Sequence, residues 1–213
     1  MDPSKRLIRQ KVHLELQNRI VIGELKPKEF LREKDIASEF KCSLASVREA
    51  LQKLEEEGLV ERIPFVGPFV TALSSEELKD LYEYRKLIEL NALDAFIRNV
   101  TRTDLQVLED TIDLMRQAAS ANDIRNLLSY DMFFHKYIVK KSGKTISLKL
   151  WSRIDLHIRR FMAFTYPLYL TLIETAENHV PLLEALEKGD PDIVKEVFTK
   201  HIIFEPAIEK LNL

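Results

Sequence analysis

The pattern of this chain changes at about residue 73. Before it, Leu59-Val60-Glu61-Arg62-Ile63 and Phe69-Val70-Thr71 flank Pro64-Phe65-Val66-Gly67-Pro68. Two β-branched runs around a Pro/Gly turn read as a small hairpin. After it, every patterned stretch has helical spacing, punctuated only by capping residues, glycines and prolines. One hairpin and otherwise helical periodicity cannot build a sheet-based core. The expected fold is therefore mostly α. A small domain over residues 1–73 ends in the hairpin, and residues 74–213 form an all-helical antiparallel bundle. The joint near Thr71–Ser75 is too short to act as a floppy linker.

Within the first part, Leu7, Val12, Leu16 and Ile20 recur on one face of a helix over about Ser4–Ile22. A short helix near Glu33–Phe40 and a third near Ser43–Glu57 follow, separated only by Lys41-Cys42. In the second part, Ser74 with Glu77 forms a capping box for a helix through about Asn99. Thr101 or Thr103 opens the next helix, to about Ala119, and Asn122 opens another through about Lys141. A further helix covers about Ile146–Phe164 and breaks at Tyr166-Pro167. Asn178 is expected to cap a short helix that Gly189 closes. Asp190-Pro191 then starts the last helix.

Composition narrows the class. Hydrophobic residues make up 46% and charged residues 31%, which is a globular balance. No apolar run approaches the roughly 20 residues that a membrane span needs, and the start does not lead into a signal-peptide core. The single cysteine, Cys42, excludes an internal disulfide and fits a reducing cytoplasm. Net charge is −2, divided as 13 basic and 12 acidic residues before position 74 and 19 against 22 after it. Bulk electrostatics therefore does not advertise nucleic acid, and any such reading must come from pattern.

That pattern exists. Helix, short helix, tight joint, helix and hairpin is the order of a winged helix-turn-helix, whose third helix enters the major groove of double-stranded DNA. Ser43 and Ser46 at the start of that helix can bond phosphates or base edges, and its N-terminus favours a phosphate. Arg48 can pair bidentately with guanine or phosphate. Val47, Ala50, Leu51 and Leu54 fall on the opposite face, turned inward. Arg32 and Lys34, opening the second helix, suit contacts to the DNA backbone.

In the second part, four of the five histidines lie beyond residue 131. Asp131 and His135 stand at i and i+4 on one helix and project from one face. His179 falls at the start of a short helix and His201 well into the last. One carboxylate and three imidazoles on three helices can converge inside a bundle, and together they suit Zn²⁺ first, then Ni²⁺, Mn²⁺ or Fe²⁺. The same Asp/His spacing also occurs as a simple hydrogen-bonded pair. His157 and His13 have no matching partners in the pattern and read as structural.

Two resemblances rest on these residues. Ile22-Gly23-Glu24-Leu25-Lys26-Pro27, Leu31-Arg32-Glu33, Ile36-Ala37, Ser46-Val47-Arg48-Glu49-Ala50-Leu51, Glu57-Gly58-Leu59-Val60 and Gly67 resemble the DNA-binding domain of GntR-type regulators. The resemblance implies that Lys34, Ser43, Ser46, Arg48 and the wing residue Gly67 lie at DNA. Leu44 and Ala45-Ser46 depart from it, since the family commonly has arginine and a Thr-Pro pair there, and Leu44 cannot donate to guanine. Asp131…His135 before Ser142-Gly143, Asn178-His179 before Leu182-Leu183-Glu184-Ala185-Leu186, and His201 resemble the FCD effector domain of the FadR subfamily, in its shorter, six-helix VanR-like form. This resemblance implies that Asp131, His135, His179 and His201 are metal ligands. It also implies that Arg85, in Tyr82-Glu83-Tyr84-Arg85-Lys86-Leu87-Ile88-Glu89, meets the carboxylate of a small effector, with Arg153 a second candidate.

The expected protein is thus a cytoplasmic, homodimeric transcription regulator that binds a palindromic operator, with no membrane and no enzymatic turnover. A small organic acid would bind the metal and modulate DNA affinity. Two rivals share the residues: a regulator sensing the metal itself, and a metallohydrolase with Glu174 or Glu177 as its base.

Overall fold

The computed structural model describes residues 3–72, 74–165 and 171–202. The break expected at Tyr166-Pro167 lies outside the described residues. The chain divides into two compact units, Met1–Leu73 and Ser74–Leu213.

The first unit contains α1 (Pro3–Val21), α2 (Glu33–Glu39), α3 (Leu44–Glu56), β1 (Val60–Ile63) and β2 (Gly67–Val70). The two strands pair antiparallel, with Val60 opposite Val70 and Ile63 opposite Gly67. Phe30 adds an isolated bridge to Phe69 and fastens the loop before α2 to the hairpin. Val12, Leu16 and Ile20 of α1 meet Val47, Ala50, Leu51 and Leu54 of α3 in a core completed by Leu31, Leu59 and Val70. Each Val, Leu or Ile among them contributes about 1.5–3 kcal/mol on burial. Leu7, expected on the inward face of α1, is instead exposed. The short joint between α2 and α3 is possible because Lys41 takes a left-handed conformation, φ 50°.

The second unit contains α4 (Ser75–Asn99), α5 (Arg102–Ser120), α6 (Ile124–Lys141), α7 (Thr145–Thr165), α8 (Leu172–Glu177), α9 (Val180–Lys188) and α10 (Pro191–Ile202). The Ser74/Glu77 capping box forms as the spacing predicts. Thr101 caps α5 through Asp104, so Thr103 lies inside the helix. Asp123 caps α6 by accepting from the Asn126 amide, while Asn122 turns left-handed before it, φ 55°. Among the described residues these are seven segments where six are expected, because α8 is a separate short helix. Its own capping box, Thr171 with Glu174, is present in the sequence.

Helix α6 sits between two apolar clusters. Leu127, Phe134 and Ile138 pack with Leu93, Met115, Leu182 and Phe198. Leu128, Met132 and Val139 pack with Ile88, Trp151 and Met162. A helix covered on both sides places whatever polar residues lie between those faces in the dry interior. On α6 these are Asp131 and His135, each 0% exposed.

Candidate metal centre and nucleic-acid interface

Three imidazoles meet at this interior point. The Nε2 of His135 lies 3.3 Å from Nε2 of His179 and 3.2 Å from Nε2 of His201. Asp131 Oδ2 stands 3.5 Å from His179 Nε2. His135 comes from α6, His179 from the turn between α8 and α9, and His201 from the last turn of α10. His179 is itself the N-cap residue of α9, where Asn178 was expected. Asn178 closes α8 instead. That one-residue difference matters, because a cap position can turn its side chain inward against the helix before it. The turn directs Nδ1 of His179 to the Thr175 carbonyl, 2.9 Å away.

The remaining ring contacts decide what the cluster can hold. A carbonyl only accepts, so Nδ1 of His179 carries the proton and its Nε2 presents a lone pair. His135 Nδ1 meets Glu89 Oε2 at 2.7 Å, and Glu89 Oε1 accepts from Arg85 Nε at 2.7 Å. Where Glu89 is ionised against the permanent cation of Arg85, it accepts from Nδ1, and Nε2 of His135 then also presents a lone pair. Lone pairs opposed across about 3.3 Å in a dry interior repel unless a cation lies among them. A shared proton is a poor solution. Burial, with the nearby Arg85 charge, holds His135 well below its ordinary value and, with the neighbouring imidazoles, does the same to His201. Burial pushes His179 down to about 4. The three imidazoles form a donor set that fits a divalent transition-metal ion, with the buried Asp131 carboxylate beside His179.

Arg85 is buried, its guanidinium lying 5.6 Å from the Trp151 ring centroid and its NH1 4.0 Å from the sulfur of Met162. It makes the i,i+4 pair with Glu89 that a surface helix could also make, but in the interior. Burial pushes Glu89 up and Arg85 opposes it. Arg153 does not join this group: it is exposed on α7, where the buried arginine is Arg160. The two carboxylates nominated as a hydrolytic base are elsewhere. Glu174 is exposed and occupied by the Thr171 cap, and Glu177 is exposed and paired with Arg116. His157 is half-buried outside the cluster, and His13 bonds Glu57 at 2.9 Å in the first unit.

In the first unit, Ser43 is exposed and caps α3 by accepting from the Ser46 amide. Ser46, expected beside it at DNA, is buried, its hydroxyl 3.0 Å from that of Ser43. A helix start turns only some of its side chains outward, and here the outward ones are Leu44, Ala45 and Arg48. Arg32 and Lys34 are exposed at α2. Glu33 lies between the third helix and the hairpin, accepting from Arg48 Nε at 2.8 Å and from Arg62 at 3.2 Å. Burial pushes Glu33 up, but the two guanidinium groups outweigh it and hold the carboxyl below the usual range. Arg62 is a basic residue of this face that the pattern had not singled out; its strand position, beside the wing turn, was the available signal. Gly67 opens β2 with φ 133°.

The family model described as "FCD domain" matches residues 80–204, and the one described as "Bacterial regulatory proteins, gntR family" matches residues 8–70. A probable D-xylose utilization operon transcriptional repressor of Paenarthrobacter nicotinovorans is 27% identical, over 98% of this chain and 94% of that protein. The gluconate operon transcriptional repressor of Bacillus subtilis is 23% identical, over 95% of this chain and 84% of its own. Among solved structures, E. coli McbR/YncC shares the fold with TM-score 0.75 at 23% identity, covering 92% of this chain and 93% of that one. A GntR regulator of Rhodococcus sp. RHA1 does so with TM-score 0.78 at 20% identity, covering 95% and 96%. Among the described residues, no helix is long and apolar enough to cross a membrane.

Proposed function

The chain belongs to the GntR family of bacterial regulatory proteins and carries an FCD domain, and from that premise we propose that it is a cytoplasmic transcription regulator whose grip on DNA answers to a small carboxylate bound at a metal centre. The observation that carries the ligand half is the convergence of the three imidazoles of His135, His179 and His201, whose ligand atoms lie within 4.8 Å of one another. In this reading Asp131, His135, His179 and His201 hold a divalent ion, Zn²⁺ first among the candidates. When bound, the ion supplies a coordination position for an anionic oxygen. Arg85 is the cation nearest in kind to a carboxylate partner, because a guanidinium forks onto two oxygens. A relative described as a gluconate operon repressor supports a hydroxy acid as the effector class.

The DNA half uses the start of α3. Ser43 and Arg48 address phosphates or base edges, Arg32, Lys34 and Arg62 address phosphates, and the turn before Gly67 touches backbone or minor groove. Leu44, exposed where relatives commonly carry arginine, favours contact with a thymine methyl group over a donor to guanine. Two copies would place their third helices one turn of duplex apart, about 34 Å, on a palindromic site. Exposed Leu87, Ile146 and Leu150 in the second unit form an apolar surface of the kind that a second copy covers. Acid and operator must then alter each other's affinity reciprocally, typically by about 1–3 kcal/mol.

A second reading, in which the ion alone is the signal, is favoured by one observation: the Arg85 guanidinium is already bonded to Glu89. Native mass spectrometry of the purified protein tests both, by reading dimer mass, metal stoichiometry and any carried acid together. Operator binding is then titrated with metal alone and with a panel of hydroxy acids on metal-loaded protein. A response to acid supports the first reading, a response to metal alone supports the second, and a metal-free protein indifferent to both sinks the two of them.

A further inference from the structure

Glu89 is 2% exposed, and both of its oxygens are engaged, Oε2 with His135 Nδ1 and Oε1 with Arg85 Nε. A buried carboxylate is costly to keep, and an apolar residue in its place would carry no such cost. It therefore needs a task. We propose that Glu89 is a positioning residue for the histidine cluster: it holds the proton of His135 on Nδ1, which turns the Nε2 lone pair toward His179 and His201.

The reasoning follows from what each ring is offered. A neutral imidazole has two tautomers, and the bond made by one nitrogen selects which of them is populated. His179 is set by the Thr175 carbonyl, a backbone acceptor that no substitution removes. Among the described residues His135 has no backbone acceptor of this kind, and its Nδ1 meets a side-chain carboxylate from another helix. Arg85 fixes that carboxylate in turn. One turn earlier on α4, it is packed against the Trp151 ring and the sulfur of Met162. Three residues thus form a line from α4 into the cluster, and the middle one sets the state of the ligand atom at its end. Removing a group of this type lowers metal affinity about 10–100-fold in other centres. The affinity part of the proposal rests on the metal reading above. The tautomer part does not.

The experiment uses the full chain, labelled with ¹⁵N at histidine and stripped of metal, as wild type, Glu89→Gln and Glu89→Ala. In the wild type, the nitrogen shifts of both His135 and His179 are expected to report protonated Nδ1. In Glu89→Ala the Nε2-protonated form of His135 should appear while His179 is unchanged. Zn²⁺ affinity, measured by competition with a chelator, should fall about 10–100-fold. Glu89→Gln, whose amide oxygen can still accept from Nδ1, should keep the tautomer and lose less affinity. A wild-type His135 protonated at Nε2 overturns the proposal, and that measurement stands even if Glu89→Ala does not fold. A folded Glu89→Ala with the wild-type tautomer and Zn²⁺ affinity within twofold overturns it as well. A wild-type protein with the expected tautomer that takes up no Zn²⁺ ends the zinc reading and supports the assignment of Glu89.

Discussion

Gly67 packs so closely under Phe30 that a Cβ at this position would lie 2.7 Å from Cε2 of the ring, and its backbone holds φ 133°. Two costs thus meet at the first residue of β2. Gly67→Ala is expected to destabilise the first unit by about 1–3 kcal/mol and to weaken operator binding through a displaced wing. Because Phe30 is partly exposed and its ring can swing, most of the loss should be backbone strain. Adding Phe30→Ala should then recover only a minor share. Denaturant melts of the single and double variants check this, and full recovery would assign the cost to the ring.

Glu33 governs two cations on the same face. Arg48→Ala should weaken operator binding by about 1–3 kcal/mol if Arg48 reads a base, or reduce the salt slope by about one if it meets a phosphate. Glu33→Gln removes the ion pair that holds Arg48 and one of the two that hold Arg62, which keeps Glu55, and takes a negative charge from the DNA-facing surface. Binding to random duplex should therefore tighten while the ratio of operator to random affinity falls. Fluorescence anisotropy at several salt concentrations measures both quantities.

Metal should act as part of the fold. His135 is the central ring of the cluster, with Nε2 near those of both other histidines. His135→Ala is expected to abolish stoichiometric Zn²⁺ uptake. Metal at about 1,000 times its Kd stabilises a protein by about 4 kcal/mol, so chelation should lower the melting temperature of wild type and leave His135→Ala unmoved. Calorimetry with and without chelator is the check.

Acid should weaken the metal-free protein. Burial holds His179 at about 4 against an ordinary 6.5, so the unfolded chain binds that proton more tightly than the folded one. Its contribution is complete above about pH 6.5 and is lost as pH falls towards 4, worth roughly 3 kcal/mol for this residue. Burial holds His135 and His201 low as well, which adds loss in the same direction. Denaturant melts of chelated protein between pH 7 and 4 should show stability falling, while a flat profile would contradict the burial.

The apolar surface of the second unit should be an interface. Leu87→Glu and Ile146→Glu replace side chains 64% and 68% exposed, so neither should unfold a subunit. Each should shift the sedimentation of the protein from dimer to monomer and weaken binding to a palindromic site more than to a half-site.

The sequence alone determined the order of elements and the inward faces of most helices. Periodicity and capping are local properties that act within a few residues. Val47, Ala50, Leu51 and Leu54 turn inward as their spacing requires, and Ser74 with Glu77 forms the expected cap. That His135, His179 and His201 could meet was legible from their places on separate helices of one bundle, and their reading as ligands came from the family resemblance. Tertiary structure alone decided which polar residues stand in the dry interior and what they meet there. Nothing local distinguishes Glu89 from an exposed helical glutamate, since its partners lie on its own helix at Arg85 and 46 residues away at His135. Arg153 and Arg160 likewise share a helix and a charge, yet one is exposed and the other buried. The free energy of a charge depends on the water and the counter-charge around it, and those are supplied by distant segments only once the chain has folded.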